Sequence, residues 1–182
     1  VGYTDGTFGP SRSMTRAEAA AIFARLLAEK NGDTISTAAN TKFADIPAHA
    51  WYSGYVKYLS NNGITYGKSK TIFAPNDAIT RAEFTTMAVR FFDVYGDGDA
   101  EIMEQFSGFN DVSSGYWAAE YIKYAALHGW INGYGDGSFH AEREINRAEV
   151  VTIVNRLLGR EADEDYIADN LRKLNTFPDV TK

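Results

Sequence analysis

Met14-Thr15-Arg16-Ala17-Glu18 returns as Ile79-Thr80-Arg81-Ala82-Glu83 and again as Ile145-Asn146-Arg147-Ala148-Glu149. The arginines stand 65 and then 66 residues apart, a fixed period that marks a chain assembled from repeated supersecondary units. Upstream, Phe8, Phe73 and Phe139 keep the same two intervals, behind Asp5-Gly6-Thr7, Thr71-Ile72 and Asp136-Gly137-Ser138. Downstream, a second element recurs as Phe43-Ala44-Asp45-Ile46, Phe109-Asn110-Asp111-Val112 and Phe177-Pro178-Asp179-Val180. Trp51 and Trp117 follow the first two copies at the same distance; the third copy reaches Lys182 before a tryptophan could appear. The period therefore predicts a partial first unit over 1–42 and a second over 43–108 with a loop insertion at 95–108. A third unit covers 109–175 with an additional helix at 163–174, and 176–182 starts a further Phe-x-Asp element.

After each Arg-Ala-Glu, apolar residues fall at i, i+3, i+4 and i+7, the stripe of an α-helix. The sets are Ala19, Ile22, Phe23 and Leu26; Phe84, Met87, Ala88 and Phe91; and Val150, Ile153, Val154 and Leu157. The tryptophan half reads as a helix too, with Trp51, Tyr55, Val56 and Leu59 matched by Trp117, Tyr121, Ile122 and Ala125. Gly63 and Gly129 are predicted left-handed helix ends, with Ile64 and Trp130 as the apolar contact beyond them. The predicted fold is all-α: tandem helix-turn-helix repeats whose three stripes bury one another in a bundle of approximate threefold symmetry.

The same spacing separates structural residues from those left to explain. Thr15 with Glu18 and Thr80 with Glu83 fit a capping box, and Asn146 with Glu149 is a variant of it. Arginine is different, because a cation in the first turn opposes the helix dipole at a cost of a few tenths to about 1 kcal/mol. Arg16, Arg81 and Arg147 thus call for an anionic partner. That partner is either a carboxylate within the fold, or a bound carboxylate or phosphate held by arginine and the helix-start amides together. Asp45 and Asp111 are read as capping the next helix or holding an arginine. Trp51 and Trp117 are read as core or groove wall more than as free stacking platforms. Arg25, Arg90 and Arg156 recur in register and are predicted to make salt bridges between units.

Composition narrows the function. Of 182 residues 45% are hydrophobic and 23% charged, enough for one substantial core or two small ones. A net charge of −6 supplies no diffuse positive field for nucleic acid or an anionic membrane. The absence of cysteine excludes a disulfide scaffold, thiolate zinc and a cysteine nucleophile. No stretch is long and apolar enough to span a membrane and no leader opens the chain, so a secretion signal is expected elsewhere in the parent. Asp93, Asp97, Asp99 and Glu101 crowd one loop without EF-hand spacing, and His49, His128 and His140 lack zinc-ligand spacing. No metal, cofactor or catalytic residue is predicted, since no nucleophile motif, phosphate loop or paired-carboxylate arrangement stands out.

Taken in order, Phe-x-Asp, Trp, a Gly-Ile type helix end, Gly-Tyr-x-Asp-Gly-x-Phe and Thr-Arg-Ala-Glu closely resemble the S-layer homology motif over nearly the whole chain. The resemblance implies a pseudo-threefold prism of three motifs around a central three-helix bundle. Its grooves would bind secondary cell wall polymer, typically a polysaccharide with pyruvate ketals on N-acetylmannosamine, and so hold a secreted protein non-covalently on a Gram-positive cell surface. Carried over by position, it places Arg16, Arg81 and Arg147 in the grooves with Thr15, Thr80 and Asn146, and makes Asp45, Asp111, Trp51 and Trp117 the walls. Replacing such an arginine by alanine would then weaken wall binding with little loss of fold. The other reading is a module for self-association or for presenting a neighbouring domain.

The chain departs from the motif where the first unit lacks its Phe-x-Asp and Trp half. The middle unit also has Lys68-Ser69-Lys70-Thr71 in place of Asp-Gly, and the third has Asn146 for Thr. At least one groove is therefore expected to be incomplete, with Arg81 and Arg147 heading the better candidates. Phe177-Pro178-Asp179-Val180 would close the missing edge within the chain or pair with another molecule.

Overall fold

The computed structural model describes residues 2–96, 106–161, 164 and 177–180. The predicted helix at 163–174, apart from residue 164, and the acidic positions Asp97, Asp99 and Glu101 lie outside the described residues. Among the described residues there are five α-helices: α1 Arg16–Asn31, α2 Ser53–Asn61, α3 Arg81–Tyr95, α4 Ala119–Leu127 and α5 Arg147–Leu157. Among the described residues the only extended pairings are three isolated bridges, so the fold is all-α.

Local chemistry sets the helix ends. Thr15, Thr80 and Asn146 each accept from the amide of the glutamate three residues on, and that glutamate's carboxylate accepts from the cap residue's own amide. All three capping boxes are closed. Gly63 and Gly129 take the left-handed conformation at φ 73° and 67°. Ile64 and Trp130 then donate back to Leu59 and Ala125, each at 2.9 Å, and bury their side chains. Helices α2 and α4 start later than predicted: Trp51 and Trp117 sit in the preceding turns, where Ser53 N–H donates to Ala50 O and Ala119 N–H to Tyr116 O.

The repeats are joined at the residues just before the caps. Met14 N–H donates to Ile145 O at 3.0 Å, Ile145 N–H to Ile79 O at 3.0 Å, and Ile79 N–H to Met14 O at 2.9 Å. This closed cycle of three hydrogen bonds gathers the three helix starts at one point, with Met14, Ile79 and Ile145 buried there. From this junction α1 packs on α2 and α3, and α3 packs on α4 and α5. Phe23, Phe84 and Phe91 meet in the core, with Phe23 5.2 Å from Phe84 and 5.0 Å from Phe91 between ring centres. Burial on α3 extends well beyond the predicted stripe; on α1 Ala19 and Phe23 of the stripe are buried, Ile22 and Leu26 are half-buried and Leu27 takes the core place, while α5 buries Val150, Ile153 and Leu157 alone. Helices α1 and α5 stand further apart, and a cleft opens between them. The symmetry of the junction is thus relaxed at one of its three sides.

Candidate functional site

Each groove is built outward from a Phe-x-Asp aspartate. Asp45 accepts from the amides of Phe73 and Ala74 at 2.9 and 2.6 Å, and Asp111 from those of Phe139 and His140 at 2.7 Å each. Asp179 does the same for Phe8 and Gly9 at 2.8 and 2.7 Å, and Phe177 lies 5.5 Å from the Phe8 ring. The trailing Phe-x-Asp element therefore closes the first unit within the same chain. Two amides on one carboxylate favour its charged form, and Asp111 is held below the usual carboxylate range although burial works the other way.

The turn so pinned presents the phenylalanine carbonyl to the next arginine. Arg16 Nε donates to Phe73 O at 2.7 Å, Arg81 Nε to Phe139 O at 2.9 Å, and Arg147 Nε to Phe8 O at 2.8 Å. The aspartates thus position the arginines through the turn backbone. Beyond the Nε contact, Arg16 pairs with Glu83 at 3.0 Å and Arg81 with Glu149 at 2.9 Å, each across a repeat boundary. The carboxylate demanded by the helix-dipole argument is, for these two arginines, inside the fold. Arg81 also donates to Asn132 O at 3.2 Å and lies 4.5 Å over the Phe139 ring. Both arginines are nearly buried, at 4% and 5% exposure.

The helix-start amides are likewise engaged. Arg16 and Ala17 donate to Asp77 O and Pro75 O, Arg81 and Ala82 to Arg143 O and Ala141 O, and Arg147 and Ala148 to Arg12 O and Pro10 O. The expected anion site made of arginine and free amides does not form, because the neighbouring repeat's carbonyls already occupy those donors. Thr15, Thr80 and Asn146 are committed to capping in the same way.

What remains open is the outer face of each groove. A cleft of about 320 Å³ runs from Arg81 past Asn132 and Tyr134 to Glu149 and Arg156. Its counterpart of about 300 Å³ lies between α1 and α5, lined by Arg147, Glu18, Ile22, Arg25 and Trp51. Trp51 and Trp117 are 55% exposed, so they are not core residues. Trp51 stands as a groove wall with a free face, edge-on to Tyr52 at 5.4 Å. Arg25 and Arg90 depart from the salt bridges predicted for them. The packed partner helix offers tyrosine at that point, and they bond the hydroxyls of Tyr55 and Tyr121 at 3.0 and 3.1 Å.

Sequence reasoning missed four groove residues: Tyr3, Arg12, Tyr134 and Arg143. Their signal was available, because each tyrosine and each arginine stands at one fixed offset before the Arg-Ala-Glu arginine of its unit. Tyr134 donates to Glu149 at 2.9 Å, and Arg143 reaches both Tyr134 and Glu149. Burial works against the Glu149 charge, but the Asn146 amide, the Tyr134 hydroxyl and Arg81 outweigh it and hold the carboxyl below its ordinary range. Burial also lowers Arg81, which remains cationic as guanidinium does in proteins.

The family model described as the S-layer homology domain matches residues 1–20, 42–85 and 108–151. The chain is 36% identical over 167 residues to Cell surface glycoprotein 1 of Acetivibrio thermocellus, covering 87% of this chain and 7% of that one. It is 34% identical over 161 residues to the Cellulosome-anchoring protein of the same organism, covering 87% of this chain and 35% of that one. To the Surface-layer 125 kDa protein of Lysinibacillus sphaericus the identity is 32% over 161 residues, 86% of this chain and 13% of the relative. The chain thus spans about a third or less of each of these relatives. With three Arg-Ala-Glu helix starts joined in one hydrogen-bonded cycle and a family model matched over more than half of its length, the chain belongs to the S-layer homology domain family.

Proposed function

We propose that this chain is a non-catalytic module that anchors its parent protein to the bacterial cell wall by binding an anionic wall polysaccharide in the grooves between repeats. Relatives named for the surface layer and for cellulosome anchoring support the anchoring role. The observation that carries the groove assignment is the pairing of a deep, pre-organised arginine with an open outer wall. Arg16, Arg81 and Arg147 are each fixed by a phenylalanine carbonyl, and exposed Trp51 and Trp117 offer flat apolar faces to a sugar. A pyruvate ketal is the fitting ligand group, because it carries a fixed carboxylate that can share the guanidinium edge already turned toward Glu83 or Glu149. In this reading Thr15, Thr80 and Asn146 hold the helix starts, and Asp45 and Asp111 hold the arginines in place.

The test is co-sedimentation with purified wall sacculi, with intact or pyruvate-stripped polymer. Binding is expected to fall on pyruvate removal, and to fall in Trp51→Ala and Trp117→Ala variants that melt like the parent. Undiminished binding to stripped walls rejects the carboxylate role. Concentration-dependent oligomers without sedimentation would instead support self-association.

A further inference from the structure

Arg25, Arg90 and Arg156 occupy one position in the three repeats, nine residues after the arginine that starts each helix, yet they are not held alike. Arg25 donates through Nε and Nη2 to the Tyr55 hydroxyl at 3.2 and 3.0 Å, and Arg90 to the Tyr121 hydroxyl at 3.2 and 3.1 Å. Each guanidinium also lies over the ring of that tyrosine, 5.0 and 4.9 Å from its centre. Arg156 has no such tie: among the described residues no hydrogen bond, ion pair or ring contact engages its exposed guanidinium. Its side of the helix is open as well. Ala21 and Thr86 are buried, while Thr152 at the same place on α5 is exposed.

That side of α5 lines the Arg81 cleft. Glu149, Thr152, Ile153 and Arg156 stand at i, i+3, i+4 and i+7, one face of the helix. Glu149 and Arg156 are about two turns apart, roughly 10 Å along the axis, so Arg81 at its Glu149 contact and Arg156 mark the two ends of this wall. Donors at the inner end are committed. Arg81 gives Nε to Phe139 O, Nη1 to Glu149 and Nη2 to Asn132 O. Glu149, the one carboxylate lining the cleft, also accepts from Tyr134 and Arg143. Asp136 is not part of the lining and is folded back onto Ser138. A place in the last turn of α5 suits Arg156 to the helix dipole, but the dipole satisfies none of its N–H donors.

Resting on the wall-polysaccharide reading, we infer that Arg156 is the residue that engages the carboxylate of the sugar in the Arg81 cleft, reaching it from the outer end while Arg81 closes the inner one. An unengaged guanidinium presents a planar fork that matches a carboxylate with two parallel N–H donors, and only water has to leave it. Arg81 can share no more than the Nη1 edge that already faces Glu149. Thr152, one turn before Arg156, donates its hydroxyl to Ala148 O at 3.0 Å and keeps its lone pairs for a sugar hydroxyl.

The test is titration of the full chain with the methyl glycoside of N-acetylmannosamine, with and without its pyruvate ketal. Binding is followed by the amide shifts of Asn132 and Thr152 for this cleft and of Ile22 for the cleft between α1 and α5. Arg156→Gln is expected to weaken the ketal about tenfold at Asn132 and Thr152, the worth of one charge-assisted hydrogen bond, with Ile22 and the thermal midpoint unmoved. Arg160→Gln removes the same charge one turn on, outside the cleft lining, and should bind as wild type does. The glycoside without the ketal should not distinguish Arg156→Gln from wild type. Undiminished ketal binding in Arg156→Gln, an equal loss in Arg160→Gln, or an equal loss for both glycosides each overturns the assignment and leaves the polysaccharide reading in place, since wild type still binds. No binding of the ketal by wild type rejects that reading itself, and the assignment falls with it.

Discussion

Arg81 Nη1 and Glu149 Oε1 meet at 2.9 Å across a repeat boundary, tying the first residue of α3 to the third residue of α5. Glu149 is at once the capping-box carboxylate of its own helix and the counter-ion of the arginine before it. One side chain therefore couples a helix start to an interface between units. Removal of the arginine leaves that carboxylate, beyond its own cap, to Arg143 and the Tyr134 hydroxyl alone.

Arg81→Ala is accordingly expected to lower stability by about 2 kcal/mol, less than breaking an unshared buried pair, because Arg143 still faces Glu149. The loss also leaves Phe139 O and Asn132 O without their donors. Arg81→Lys should fall between, keeping the charge but not the fork. Denaturant unfolding of the three proteins checks this. A cost below about 1 kcal/mol for the alanine variant would mean that the arginine is not a structural tie. The expectation that such a variant keeps its fold thus gives way to one in which binding and stability fall together.

The pH dependence follows from the same carboxylate. Glu149 is held below its ordinary range in the folded chain and returns to it on unfolding. Its contribution to stability is therefore full above the ordinary glutamate range and is lost as pH falls through the lower folded value. Asp111, held down by the amides of Phe139 and His140, acts in the same direction. Unfolding free energy should drop between about pH 6 and about pH 3, with a shallower slope in Glu149→Gln. Parallel slopes for the two proteins would contradict this role for Glu149.

Much of this frame is legible in the sequence because it is local. Capping boxes need residues three apart, and the Gly63 and Gly129 ends need only the next apolar residue, so both predictions hold. The arginine partners are not local: Arg81 and Glu149 are 68 positions apart, and nothing in a helical stripe says that the units join in a cycle. That cycle is also why the helix-start amides, which sequence leaves open, are filled by carbonyls such as Asp77 O and Arg143 O. Trp51 was misread because apolar periodicity cannot tell the last turn residue before a helix from the helix itself.

One backbone position separates the repeats in a way that substitution can read. Gly9, Ala74 and His140 occupy equivalent places in the three turns, all left-handed, at φ 68°, 58° and 55°. A side chain there is strained, so Ala74→Gly should gain roughly 0.5 kcal/mol after the added entropy of the unfolded chain is subtracted. Gly9→Ala should cost more than about 1 kcal/mol, because its Cβ would fall 2.7 Å from the Arg12 side chain and 2.8 Å from the Tyr3 ring. Thermal melts of both variants test the opposite signs, and a neutral Gly9→Ala would show that the first turn is looser than the other two.

The closure of the first unit by the last residues makes the final prediction. Asp179 holds the amides of Phe8 and Gly9 as Asp111 holds those of Phe139 and His140, but it reaches them from 171 and 170 positions away. Those amide bonds also hold Asp179 below the usual carboxylate range. Phe8 O in turn accepts from Arg147, so loss of the aspartate should loosen the turn that orients this arginine. In Asp179→Ala, hydrogen exchange is expected to quicken at the Phe8 and Gly9 amides while those of Phe73 and Phe139 keep their protection. Asp111→Ala should give the complementary pattern, quickening at Phe139 and His140 alone. Unchanged exchange at Phe8 and Gly9 would mean that the chain end does not close the ring in solution, and that the Arg147 groove depends on a neighbour for its edge.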